Sequence, residues 1–400
     1  MFFGLGHVGR QGIAAKVGGA IVSSSPTLDL VFNGPTLDPQ LTFTRASTAT
    51  YFDSSGTMQT AAVNAARFDY DPVTLALRGL LIEEQRTNFT LNSNAPALLS
   101  GGATIAPSVD LPPLFSPATI YKHTITSNPA RGYVAITGLT ASTAYAFSFW
   151  AYVPVSVTTP QGSTLYNNTG EGLTGTQNIA LPYQYDMSRK GTWQRLVVGY
   201  TTGSAETSLN AFFMRGLLTG DVFYTTCFQC EAGPFATSYI PTTAAAATRS
   251  IEVCQMPTGA WYNPNTYSLA MDFIVYRGTV TIGGLSDAAF GANTTYLNVD
   301  ANPNIAMVRA TATTAFAPGA VGLGTVNKAC GTMTASSAVN CAVNGSVGGG
   351  NTIALGAQSA TRLAIGNDPW SLSSAINGYM RRVRYWPRVL SNSELQSVTT

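Results

Sequence analysis

The run "STAYAFSFWAYV" (142–153) sets Tyr145, Phe147 and Phe149 at alternate positions. A period of two places all three on one face of an extended strand. The same rhythm returns in "GTWQRLVVGYTT", "TSLNAFFMRG" and "GDVFYTTCFQCEAG", and again in "YSLAMDFIVYRG", "NIAMVRA" and "TRLAIGN". Only 10% of the residues are charged, against about a quarter in an ordinary globular domain. Surface helices need Glu, Lys and Arg on their wet side, whereas Thr-, Ser- and Asn-rich faces suit sheets. The chain is therefore expected to be all-β.

Its organisation follows from the turn signals. Residues 1–25 are Gly-, Ala- and Ser-rich with little periodicity and read as a leader. Residues 26–88 read as a hairpin-rich module. In "ATYFDSSGTMQTAA" an Asp-Ser-Ser-Gly turn joins two extended arms, and Asp71-Pro72 opens a second turn before "LALRGLLI". Residues 89–249 read as one β-sandwich ending in the linker "YIPTTAAAATRS", and 250–400 as a second. Near the C-terminus, Ser391 or Ser393 can cap one short helix over "ELQSV".

Charge excludes some functions. Lys and Arg number 21 against 19 Asp and Glu, and no basic cluster beyond "YMRRVRYWPR" occurs, so no nucleic-acid partner is expected. No run of about eighteen apolar residues is present, so no membrane insertion is expected. In "MFFGLGHVGRQGIAAK" apolar residues precede basic ones, the reverse of a secretion signal, so synthesis in a cytoplasm is expected. Cys227 and Cys230 form a C-x-x-C, but on a strand they point to opposite faces. With His7 and His123 the only histidines, no metal or cofactor is expected.

Three stretches carry a family resemblance. "LTFTRASTATYFDSSG" with "RFDYDPVTLALRGLLIEEQRTN" resembles the N-terminal module of a family of tailed-bacteriophage virion proteins. "GTWQRLVVGY" through "FQCEAGPFATSYIPTTAAAATRS" is similar to the end of their head spike fibre jelly roll, which is related to carbohydrate-binding modules. "INGYMRRVRYWPRVLSNSELQ" resembles the close of concanavalin A-like, laminin-G-like lectin sandwiches. The resemblance implies a fibre, spike or decoration protein on a phage head or tail. Surfaces with little charge and "FTRAS" hairpins too small for a core of their own point to an oligomer, expected as a homotrimer docked on capsid or tail proteins through the leader, located in the virion and facing a host surface glycan. A dedicated receptor-binding tail adhesin is the alternative.

Lectin-like sandwiches also host glucanases, whose chemistry needs two carboxylates about 5–10 Å apart. Asp272 lacks a carboxylate at either i±2 position, adjacent Glu83 and Glu84 face opposite ways, and Asp69–Asp71 reads as turn chemistry. His123 has no G-x-S-x-G beside it. No catalytic residue is assigned, and no enzyme is expected. Sugar sites combine an aromatic platform with amide and carboxylate groups. "NDPWSLSS" offers Trp370 with Asn367 and Asp368, and "TGAWYNPNTY" offers Trp261 and Tyr262. Trp150, Trp193 and Trp386 are expected in the core. On the last strand Arg382, Arg384 and Trp386 share a face with Met380, a candidate contact between chains. Arg45 is expected to be exposed or to pair with Glu83 or Glu84.

Overall fold

The computed structural model of the chain describes residues 25–128, 130–158, 174–178, 184–214, 217–302, 304–309, 312–335, 338–352 and 356–400. The expected leader, up to its last residue, lies outside them. Strands dominate, and Ser391 caps the C-terminal helix Asn392–Thr399 through a capping box with Glu394.

The segments before residue 88 and after residue 250 build one sandwich. Among the described residues, one of its sheets has nine strands. In it Gly378–Trp386 pairs with Thr266–Val275 on one side and with both Leu28–Val31 and Leu77–Ile82 on the other. The facing seven-stranded sheet carries Thr42–Thr44 beside Val253–Pro257. Leu28, Leu30, Phe43, Leu80 and Ile82 share a core with Met271, Leu297, Leu363 and Val383. The hairpin stretch 26–88 is thus not a module with a core of its own. Its strands are three to six residues long, too short to bury apolar area except against a larger sheet.

The jelly roll is an insertion between these two halves. The chain enters it through Arg86–Asn88 and leaves through Ala247–Arg249, and these two strands pair with each other. Ala144–Tyr152, Trp193–Thr201 and Val222–Ala232 lie side by side in its larger sheet. Tyr145, Phe147, Phe149, Leu196 and Phe228 face its core, as the alternation predicts. Ser148, Trp150 and Arg195 alternate with them and point to the outer face. Cys227 and Cys230 go to separate clusters on opposite faces.

A buried ionic network closes the insertion point. Glu83 immediately follows the last strand before the jelly roll, and Glu252 immediately precedes the first strand after it. The Glu252 amide donates to the Glu83 carbonyl at 3.0 Å. Arg67 bridges both carboxylates, with Nη2 2.7 Å from Glu83 and Nε 2.7 Å from Glu252. Arg45 reaches Glu252 at 2.7 Å, and Arg249 reaches Glu83 at 3.1 Å. Arg45 is therefore neither exposed nor paired with Glu83 or Glu84. It is 1% exposed, and it also donates to the Ser47, Ala62 and Ala65 carbonyls. Burial raises the Glu83 carboxyl, but Arg249, Arg67 and Ser238 more than offset this and hold it at about 2.

Two outcomes follow for stability. Glu252→Gln leaves buried guanidiniums without a counter-charge, which costs about 3–5 kcal/mol and is read as a lower midpoint in urea denaturation. Glu83 is held below its free value of 4.5, so its contribution is complete above that pH. It is lost as pH falls from 4.5 towards 2, by roughly 3 kcal/mol in all. Thermal unfolding across this window should show a drop in midpoint that is absent in Glu83→Gln, a variant already destabilised at neutral pH.

Candidate functional site

Trp370 sits on a loop that Asn367 and Asp368 build rather than decorate. Asn367 is fully buried: Oδ1 accepts from the Cys254 amide at 3.0 Å, and Nδ2 donates to the Glu252 carbonyl at 2.8 Å. Asp368, 1% exposed, accepts from the Ser371 and Ser374 amides at 2.9 and 2.7 Å and from both hydroxyls. Their polar groups are saturated, so neither offers a hydrogen bond to a sugar. Arg362 Nε donates to the Pro369 carbonyl at 2.8 Å and steadies the loop from the sheet side.

The structure brings two other aromatics to Trp370. The Phe290 ring lies 4.9 Å away, edge-on at 69°, and Tyr296 lies 5.1 Å away at 61°. Tyr296 points outward in the alternating strand Thr295–Val299, whose Leu297 and Val299 face the core. Phe290 stands in the preceding loop, 48% exposed. The signals that could have found them are a tyrosine at an outward position of "TYLNV" and a large aromatic in the small-residue loop "SDAAFGAN".

The other expected platform is packed. Trp261 meets Tyr385 edge-on at 4.8 Å, and Tyr262 Oη donates to the Gln358 carbonyl at 2.5 Å. Both rings are partly buried against the sandwich core. The arginine stripe finds partners within the chain. Arg382 binds Asp29 through two bonds of 2.8 and 2.6 Å, and Arg384 binds Asp272 at 3.0 Å. Trp386 lies buried with Leu395 and Val398 of the helix. A register shift between Arg382 and Met380 turns Met380 into the core, so it does not share their face.

The groups weighed for catalysis are committed to structure. Asp272 holds Arg384, and Asp69 accepts from the Phe52 amide and from Tyr379 Oη, each at 2.7 Å. His123 is fully buried, stacked on Phe223 at 4.4 Å and bonded to Thr225, and burial pushes it down to about 3.

A cavity of about 380 Å³ lies between the outer faces of the two sandwiches. Trp150, Arg195 and Val197 of the jelly roll form one wall, and Leu81, Tyr276 and Tyr379 form the other. Thr50, Tyr51 and Phe52 of the "TRASTATYF" hairpin and the loop Phe235–Tyr239 close the ends. Gly233 shapes that loop. Its φ of +123° favours glycine, and a Cβ there would displace the Arg86 guanidinium. Arg86 can then stack on Phe235 at 4.7 Å, with Arg277 on the same ring at 5.3 Å.

Residues 242–396 match the model of the concanavalin A-like lectin/glucanases superfamily. No curated protein matches the chain. Among solved structures, the chain is similar to the CBM40 of the Ruminococcus gnavus IT-sialidase bound to α2,3-sialyllactose. Identity is 13% and the TM-score 0.29, with 34% of this chain and 83% of that one covered. It is also similar to domain 4 of the GH43 arabinanase AbnA from Geobacillus stearothermophilus in complex with arabinotriose. There identity is 14% and the TM-score 0.31, with 42% and 82% covered. A heptameric SAP-like pentraxin from Limulus polyphemus shows 13% identity and a TM-score of 0.28, with 34% and 70% covered.

Asp368→Ala removes the acceptor of several loop donors at once and costs about 1–3 kcal/mol. Hydrogen exchange should quicken at Ser371, Leu372 and Ser374 while the amides of Arg362–Ile365 keep their protection. Unchanged exchange in the loop would show that Asp368 does not hold it.

Proposed function

We propose that the protein is a non-catalytic, glycan-binding fibre or spike of a bacteriophage particle, carried on the head or tail and facing the host surface. The observation that carries the glycan reading is the surface of Phe290, Tyr296 and Trp370, built on a sandwich that matches a lectin superfamily. The apolar C–H face of a pyranose stacks on such rings, while its hydroxyls remain in water at the rim. The Asp368 and Arg362 bonds fix the loop before a ligand arrives, which lowers the entropy lost on binding.

The phage setting is supported by "LTFTRASTATYFDSSG", "FQCEAGPFATSYIP" and "RRVRYWPRVLSNSELQ". Homotrimer formation and docking through the leader belong to the same proposal.

Trp370→Ala should weaken binding to purified host surface polysaccharide by about tenfold, equivalent to ~1.4 kcal/mol, with the circular dichroism spectrum unchanged. Titration calorimetry reads the difference. Equal affinities for variant and wild type sink the platform. Gold-labelled antibody on purified particles locates the protein on head or tail, and its absence from particles overturns the virion role.

A further inference from the structure

The cavity between the sandwiches is lined by a cation, Arg195, that makes no ion pair among the described residues. Arg195 pairs directly across the sheet with Trp150, and Nη2 donates to Ser148 Oγ at 2.9 Å. Among the described residues no carboxylate lies within 4.0 Å of its guanidinium. Glu231 and Glu83 attract it from a distance, but their oxygens are bonded to other groups. Glu231 accepts from Gln229 and Thr237, and Glu83 is held by Arg67 and Arg249. On the opposite wall Asp69 lies 3.6 Å from Arg78, which pairs with Asp71 at 2.7 Å.

We propose that this cavity binds a carboxylate-bearing sugar unit, with Arg195 pairing to the carboxylate and Tyr276, Tyr379 and Trp150 bounding the ring. The sugar part rests on the glycan-binding reading above, whereas the anion part stands on the cavity alone. The volume falls within the ~300–1,000 Å³ of small-molecule sites, which join apolar walls to a few convergent polar groups. A planar guanidinium can meet a carboxylate through two parallel bonds, and only one of its terminal nitrogens is engaged by Ser148. Burial holds Arg195 below its ordinary range, and a bound anion reverses that penalty. Arg86 and Arg277 stack on Phe235 at the cavity's end, where Glu84, 2.5 and 3.7 Å from them, offsets part of their charge. Tyr276, 47% exposed, marks the side from which a ligand enters. A terminal unit of a surface glycan and a free sugar acid share this chemistry, and the test separates them.

Titration calorimetry on the full chain would use a glucuronate-terminated oligosaccharide, its glucose-terminated counterpart, free glucuronate and acetate. The acidic oligosaccharide is expected to bind at least about tenfold more tightly than the neutral one. Arg195→Gln, which can keep the bond to Ser148, should abolish that preference. Arg195→Lys should retain part of it. Tyr276→Ala should weaken both sugar acids without altering the fold. Equal binding of acidic and neutral forms to wild type, or a preference that survives Arg195→Gln, overturns the proposal. Acetate binding as tightly as glucuronate overturns the sugar part. If glucuronate binds alone and neither oligosaccharide does, the cavity stands as a site for free sugar acids and the surface-glycan reading fails.

Discussion

Arg67 is the residue on which the architecture turns. Its guanidinium touches Glu83, where the chain leaves the lectin-like sandwich, and Glu252, where it returns. Its Nη1 also donates to the Thr50 carbonyl and to Ser238 Oγ at 2.7 Å each. One fully buried side chain thus ties together the exit, the re-entry, the 49–61 hairpin and the loop at the end of the jelly roll. Such a network need not add stability over an apolar core of the same volume, because desolvation of each charge opposes the attraction. What it fixes is which segments meet. Any other arrangement buries a guanidinium or a carboxylate without its partner, at several kcal/mol.

The cavity inherits its shape from that constraint. Its walls are outer faces of strands, with Tyr276 just beyond the end of Thr266–Val275, and its ends are the hairpin and the loop that Arg67 and Ser238 pin. Glu83 and Ser238 belong both to the network and to the lining. The 49–61 hairpin adds a second tie, with Phe52 and Met58 packed against Leu114, Phe115, Trp150 and Tyr239 of the jelly roll. A recess built so needs no lid, and its side chains are positioned before any ligand arrives.

What the sequence made legible, and what it hid, divides along the range of the interactions. Period-two alternation in "AYAFSFW" reveals a half-buried strand because each face reports on its own neighbours. The Asp53-to-Gly56 turn and the helix cap are equally local: the turn stands where the sequence places it, and of the two candidate caps, Ser391 and Ser393, the helix uses Ser391. Arg45 was not legible. Its partner Glu252 is 207 residues away, and nothing in "FTRAS" distinguishes a solvated arginine from a buried one. The same holds for strands 28–82, which look like a free-standing hairpin module until they are laid beside Gly378–Trp386. Asn367 and Asp368 show the converse error. Side chains of sugar-binding type beside a tryptophan are also those that satisfy loop amides, and here the loop takes all of their capacity.

That last point separates the two aromatic surfaces chemically. Around Trp370 the polar groups nearest in sequence are spent on the loop, so affinity there depends on ring contact, which is tolerant of sugar identity. Around Trp150 a charged group remains with capacity to bind, inside walls of low dielectric where one ion pair is worth far more than at a surface. Stacking alone discriminates poorly between one pyranose and another, whereas a partly desolvated guanidinium rejects any ligand that leaves it without an anion. On these two proposals, a chain with only 10% charged residues keeps its most selective chemistry where its two sandwiches are locked together, and its broadest contact surface on one of them.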